Sequence, residues 1–310
     1  MEQQAEWTKL TVRASRDNLD TVTAVMGMLD NGLMIEDYSD FPFETGMYGD
    51  LVDESIKNAD LSRIAVSIFV AREKNLSEYI AFLRERFSFA EVAWEYECEG
   101  LREEDWAESW KQYYHPIPLG RVTIVPAWQN YRAKGGEIVV RMDPGMAFGA
   151  GTHETTRLAV LLLEETIAGG EKVLDVGTGS GILAIVSEKL GASLCRGYDI
   201  DPVAVRVAKE NAEENGAKNV SFGASDLLAS VEKPEDGYDL AVANIVADVL
   251  LRMAPDLPAF LRPGARLICS GIIEPRLPEL RAGMIAAGFK EEKVISENDW
   301  YALRFVLAER

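Results

Sequence analysis

The 310-residue sequence has little of what metal-dependent and nucleophilic enzymes recruit: two histidines, His115 and His153, and three scattered cysteines, Cys98, Cys195 and Cys269. Neither set has metal-ligand spacing, and an odd number of dispersed thiols offers no disulfide framework, so no metal site is expected and the thiols are expected to be free. Cations are scarce as well. With 32 Lys and Arg against 51 Asp and Glu, the net charge is −19. Affinity for nucleic acid rests mainly on Lys and Arg contacts, so a broad phosphate-binding surface is disfavoured and a basic protein partner fits better. No apolar run approaches a membrane span, and residues 1–7 carry acidic and amide groups where a signal peptide would be basic and then apolar. A cytoplasmic protein acting as a monomer is the expectation. What is present is an apolar fraction of 47%, enough for two domains with their own cores.

Along the chain, residues 7–15 alternate as a strand, and residues 16–29 place Leu19, Val22, Val25, Met26 and Leu29 at helical spacing. Residues 33–38 and 63–71 read as further strands, 75–87 as a helix and 90–98 as a strand, with residues 41–60 as an irregular insertion. This βαββαβ order predicts a ferredoxin-like α+β domain over residues 1–100. Residues 100–114 read as an acidic, aromatic helix ended by His115-Pro116, in which Trp106 and Trp110 share one face, with packing between domains favoured over substrate stacking. Residues 101–135 are therefore a linker, ahead of a second domain over residues 136–310. Residues 122–125 and 137–140 read as a short hairpin, and the glycine-bearing residues 143–156 as a loop whose Thr152 or Thr155 caps a helix over 157–168.

From residue 173 strands and helices alternate, which implies a mainly parallel sheet with helices on both faces. Two final strands, 290–297 and 300–307, are close enough to pair as an antiparallel hairpin at its edge. The centre of this part is residues 173–185, V-L-D-V-G-T-G-S-G-I-L-A-I: a strand, glycines at 177, 179 and 181, then a helix. Such a turn brings bare backbone against a nucleotide. The dinucleotide fingerprint G-x-G-x-x-G fails at its sixth position, Ile182. With Asp175 two residues before the first glycine, the turn instead resembles the cofactor loop of class I S-adenosylmethionine-dependent methyltransferases, and a parallel sheet finished by a hairpin resembles their topology.

Partners of the turn are sought at the carboxyl ends of the neighbouring strands. Asp199 ends the second strand and can accept hydrogen bonds from both ribose hydroxyls, while Asp201, just before Pro202, is a helix cap. Asp226, beyond the third strand, takes the adenine amino group or stays at the surface. Asn244 ends the fourth strand and is either a turn former or the group that faces the reacting centre. Ile245-Val246-Ala247 follows it, so the Pro-Pro-aromatic clamp for planar nitrogens is absent, which lowers DNA, adenine-RNA and glutamine substrates.

Residues 143–156 (D-P-G-M-A-F-G-A-G-T-H-E-T-T), the glycine turn, D-I-D-P at 199–202 and V-A-N-I at 242–245, preceded by E-D-W-A-E-S-W-K-Q-Y-Y-H-P at 104–116, together resemble the bacterial ribosomal protein L11 methyltransferase family. The resemblance is strong over residues 104–271 and looser in the first hundred. It implies a class I methyltransferase sheet of seven strands with a small ferredoxin-like substrate-recognition domain, S-adenosylmethionine as cofactor, and methylation of lysine ε-amines and the N-terminal α-amine of ribosomal protein L11. It places cofactor contacts at Thr156, Gly177, Asp199 and Asn244, to which the turn adds Asp175, Gly179, Gly181 and Asp226. The amine must be neutral to attack, and Asn244, Phe148 and Thr152 are the residues expected to orient it, with His153 as a possible proton acceptor. Ala150, where the family has threonine, and the 41–60 insertion depart from its pattern. Another protein or small amine as substrate, and a docking module without turnover, are the alternatives the sequence leaves open.

Overall fold

The computed structural model describes residues 7–30, 32–37, 60–71, 74, 76–99, 115–143, 151 and 153–308. The expected insertion at 41–59, the helix carrying Trp106 and Trp110, and Phe148, Ala150 and Thr152 lie outside them. The chain divides into two compact units, residues 1–114 and 115–310.

The first unit runs β1 (Trp7–Ser15), a 3-10 turn (Arg16–Asn18), α1 (Leu19–Gly27), β2 (Met34–Glu36), β3 (Arg63–Ala71), α2 (Leu76–Phe89) and β4 (Trp94–Glu99). The sheet is antiparallel in the order β2-β3-β1-β4. That is the ferredoxin-like arrangement expected from the βαββαβ pattern. Alternation decides its two faces: Leu10, Val12, Ile64, Val66 and Ile68 are buried with Val22 and Met26 of α1 and Leu83 and Phe87 of α2. The other face carries Trp7, Lys9, Arg13 and Phe69 and, along β4, Glu95, Glu97 and Glu99. Trp7, Lys9, Phe69 and Glu99 line an open groove of about 640 Å³.

The second unit begins with a small three-stranded sheet, β5 (Ile117–Leu119), β6 (Val122–Pro126) and β7 (Ile138–Met142). The hairpin expected from residues 122–125 and 137–140 is not there, because β6 and β7 pair in parallel and β6 pairs antiparallel with β5. The 127–137 connection is long enough to return the chain to the same end of the sheet, which a hairpin turn is not. Then follow α3 (Glu154–Thr166), β8 (Lys172–Val176), α4 (Ile182–Lys189), β9 (Leu194–Asp199), α5 (Pro202–Glu214), β10 (Val220–Ala224), β11 (Tyr238–Asn244), α6 (Ala247–Met253), β12 (Leu261–Ile273), α7 (Leu277–Ala286), β13 (Phe289–Glu297) and β14 (Trp300–Leu307).

Their sheet has the order β10-β9-β8-β11-β12-β14-β13, parallel except for β14, which is antiparallel to both β12 and β13. This is the seven-stranded class I methyltransferase sheet with its terminal hairpin, as expected. Its strands are apolar on both faces: Val173, Leu174 and Val176 of β8 and Leu240 through Ala243 of β11 are at most 2% exposed, because helices cover both sides. Strand order reverses between β8 and β11, so their carboxyl ends open a crevice. Every strand that feeds the site ends there.

Candidate active site

The glycine turn leaves β8 at that crevice. Gly177, Gly179 and Gly181 have φ values of 71°, 53° and 82°, which side chains with a Cβ rarely adopt. At Gly177 the space is also closed, since an added Cβ would lie 2.5 Å from Cγ2 of Ile245. Left-handed strain and this overlap together predict that Gly177→Ala lowers stability by about 2 kcal/mol. The check is the urea midpoint, expected to fall with the slope of the transition unchanged.

Two carboxylates shape the turn. Asp199, at the end of β9 and 5% exposed, accepts from the backbone amide of Gly179 at 2.9 Å on Oδ2 and from that of Asp201 at 2.9 Å on Oδ1. Burial raises its pKa above the ordinary value, and these amide bonds oppose the rise. Asp201 accepts from Val203 N at 2.8 Å and is the N-cap of α5, as its place before Pro202 led one to expect. Asp175, fully buried, accepts from the Thr178 hydroxyl at 2.6 Å and from Ala184 N at 3.2 Å, both on Oδ2, while its Oδ1 has no partner.

Burial pushes the Asp175 carboxyl up to about 7, with Asp199 adding to the rise. The folded protein then holds a proton that the unfolded chain has released above about pH 4. Stability from this group is complete below pH 4 and declines as the pH rises through 7, by about 1.4 kcal/mol per unit at most. Asp175→Asn is therefore expected to flatten the fall in stability between pH 5 and 8, read from urea midpoints at the two pH values.

Val242 of β11 pairs with Asp175, which sets Asn244, two residues on, level with the turn. Asn244 is 7% exposed, and its amide nitrogen reaches the Thr155 hydroxyl at 3.2 Å and the Thr156 hydroxyl at 3.4 Å. Its Oδ1 is buried without a partner. A buried acceptor left open costs about 1–3 kcal/mol, and at the strand end this leaves the Asn244 oxygen available to a group in the crevice. The structure thus brings Asp175, the three glycines, Asp199, Asn244 and Thr156 to one end of the sheet. Asp226 lies there too, exposed on the turn after β10, whose preceding residue Ser225 bonds the Asp199 carbonyl through its amide at 2.9 Å.

Helix α3 starts three residues before the predicted residue 157, and its cap is His153, not Thr152 or Thr155. The His153 Nδ1 accepts from Thr155 N at 3.3 Å, and its ring meets Trp300 edge-on at 5.0 Å between centroids. The imidazole therefore does the work of a capping oxygen, a use that standard cap preferences do not suggest.

Sequence reasoning passed over several residues that build this site. Thr178, inside the turn, carries a hydrogen bond to Asp175 and is visible only once the turn is folded. Asn211 of α5 donates to Ser180 O at 2.9 Å and accepts from Asp143 N at 3.3 Å, so one buried side chain ties the glycine turn to the end of β7. Ser270 of β12 donates to Thr155 O at 2.7 Å, across 115 positions of sequence. Periodicity marks Asn211 and Ser270 as ordinary helix and strand positions.

A glycine turn joined to an acid at the next strand end, beside a strand-end asparagine with an open oxygen, suits a nucleoside cofactor bearing a reactive group next to a polar acceptor. Comparison with known proteins agrees. The family model described as ribosomal protein L11 methyltransferase (PrmA) matches residues 6–307. The chain is 38% identical to ribosomal protein L11 methyltransferases of Streptococcus pyogenes serotype M5 (strain Manfredo) and serotype M18 (strain MGAS8232), each aligned over 96% of this chain and 95% of the relative. It is also similar to the crystal structure of a ribosomal protein L11 methylase from Lactobacillus delbrueckii subsp. bulgaricus, with a TM-score of 0.60 and 36% identity over 63% of this chain and all of that one. The resemblance seen in the motifs is borne out along nearly the whole sequence, and the chain belongs to the ribosomal protein L11 methyltransferase family.

Proposed function

We propose that this methyltransferase transfers methyl groups from S-adenosylmethionine to lysine ε-amines and the N-terminal α-amine of ribosomal protein L11. The observation that carries the reading is the open, buried Asn244 Oδ1 at the strand end beside the glycine turn. An ammonium group has no lone pair for attack. Desolvation in the site favours the neutral amine, and the acceptor orients it by taking one of its N–H bonds. Phe148 and Thr152 are assigned to the same task on the family pattern.

The residues also fit the cofactor. Asp199 keeps acceptor capacity on both oxygens beyond its two amide bonds, suited to a pair of ribose hydroxyls. Asp175, with Oδ1 unpartnered, suits a cationic group nearby, and the glycines keep the backbone bare. Thr156 and Asp226 complete the proposed set. When bound, S-adenosylmethionine supplies a methyl group already activated by its sulfonium, so the chain's own contribution is alignment and exclusion of water.

Recognition of the substrate is assigned to the residue 1–100 domain and catalysis to residues 136–310, with 101–135 as the connection. The edge of the small sheet supports this: Glu99 lines the groove with Trp7 and Phe69, and Glu95 and Glu97, paired with Arg63 and Arg13, continue its row, in a chain of net charge −19 that suits a lysine-bearing partner. Among the described residues no helix is long and apolar enough to cross a membrane; action in the cytoplasm, where ribosomal proteins are made, belongs to the proposal.

The test is incubation with radiolabelled S-adenosylmethionine and ribosome-free ribosomal proteins. Label on ribosomal protein L11 alone is expected. Label on another band overturns the substrate, and no label overturns the activity.

A further inference from the structure

We infer that Thr155 and Ser270 are positioning residues that fix the side-chain amide of Asn244 with its oxygen facing the amine. The inference rests on the role proposed for Asn244 and follows from counting protons along one chain of hydrogen bonds. The backbone N–H of Thr155 donates to His153 Nδ1 at 3.3 Å, which assigns the ring proton to Nε2; Glu154 Oε2, 4.0 Å from Nδ1, is beyond hydrogen-bond reach. In that tautomer the Thr155 hydroxyl, 2.9 Å from the same nitrogen, is a second donor sharing its one lone pair. The Thr155 oxygen is left with lone pairs alone for its other neighbour, Asn244. Only the amide NH2 can face it, and the second amide contact, to Thr156 Oγ1 at 3.4 Å, falls on the same NH2 group. Oδ1 is turned away from the threonines.

β12 secures both ends of this arrangement through an irregularity. Its pairing with β14 shifts register between Cys269 and Ile272, and Gly271 in the shift has a φ of 86°. Ser270, paired with Asn244 across the parallel ladder, sends its hydroxyl to the Thr155 carbonyl at 2.7 Å and so holds the first turn of α3 in place. A Cβ on Gly271 would lie 3.1 Å from Asn244 Oδ1, so the glycine leaves room for the oxygen. The bulge thus places the threonine on one side of the amide and space on the other. Without the Thr155 hydroxyl, a rotated Asn244 would offer its NH2 to the amine in place of an acceptor.

The experiment is a double-mutant cycle between Thr155→Val and Asn244→Ala, read as single-turnover methylation of ribosomal protein L11, with Thr155→Ser as the conservative variant and thermal melting as the check on folding. Thr155→Val is expected to lower the rate about tenfold in the parent chain and less than about twofold in the Asn244→Ala background, because its effect passes through Asn244. Thr155→Ser, which keeps the hydroxyl, is expected to restore the rate to within about threefold of the parent, and Ser270→Ala to lower it about threefold. An equal loss from Thr155→Val in both backgrounds, no loss in the parent, or failure of serine to restore the rate overturns the inference. Should the parent chain itself leave ribosomal protein L11 unlabelled, it is the proposed function that falls.

Discussion

An Asp199→Ala chain is expected to bind S-adenosylmethionine about a hundredfold more weakly than the parent while remaining folded. Asp199 is the joint between the glycine turn and the start of α5: one oxygen holds the Gly179 amide, the other the Asp201 amide. Each is a charge-assisted bond to a carboxylate 5% exposed, and alanine leaves the buried Gly179 amide and the part-buried Asp201 amide without this partner. The hydroxyl contacts proposed for the cofactor vanish with the carboxylate. Together these put the loss at about 3 kcal/mol in binding, or about a hundredfold in dissociation constant. Equilibrium titration of the cofactor measures it directly. Asp201→Ala is the control, since it removes the cap bond to Val203 and is expected to cost about 1 kcal/mol of stability while moving cofactor affinity by less than about threefold. Equal losses of affinity in both variants would show that the helix start, and not the Asp199 carboxylate, holds the cofactor.

The second large effect is expected at Asn244. Asn244→Leu keeps the approximate volume at the end of β11 but removes both the open Oδ1 and the NH2 held by Thr155 and Thr156. Misplacing a reacting nitrogen by about 1 Å costs on the order of a hundredfold in rate, and that is the loss expected in kcat. Asn244 is also assigned a cofactor contact, so affinity for S-adenosylmethionine is expected to fall too, by no more than about tenfold, the worth of one hydrogen bond. Rapid-quench methylation at saturating cofactor separates the two. A variant with full kcat and weakened cofactor binding would assign Asn244 to the cofactor alone.

The sequence made legible those parts of the molecule whose physics is local. Glycines at 177, 179 and 181 announce positive φ, Asp199 and Asn244 stand out as polar residues ending apolar strands, and alternating strand and helix patterns carry the parallel sheet. The parallel pairing of β6 with β7 escaped, because two short strands separated by turn-forming residues look alike whether the chain reverses or crosses over. The Thr155, Ser270 and Asn244 network escaped for a different reason. Its members lie 89 and 115 positions apart, so nothing local to Asn244, Thr155 or Ser270 shows that the three meet. Gly271, inside an otherwise apolar strand, lies where the pairing of β12 with β14 shifts. Residue 153 shows the limit of type preferences: histidine is a rare cap, yet its Nδ1 accepts from the helix as an aspartate oxygen would.

The claim on which the rest depends is that the crevice at the carboxyl ends of β8, β9 and β11 moves methyl groups onto amines of ribosomal protein L11. The most direct measurement is the intact mass of purified ribosomal protein L11 after incubation with S-adenosylmethionine and either the parent chain or Asp199→Ala, followed by assignment of the modified residues from peptide fragments. The account predicts whole-methyl increments on lysine ε-amines and the N-terminal α-amine with the parent and almost none with the variant at the same cofactor concentration. Unchanged mass with the parent chain, or equal methylation by the variant, would contradict it.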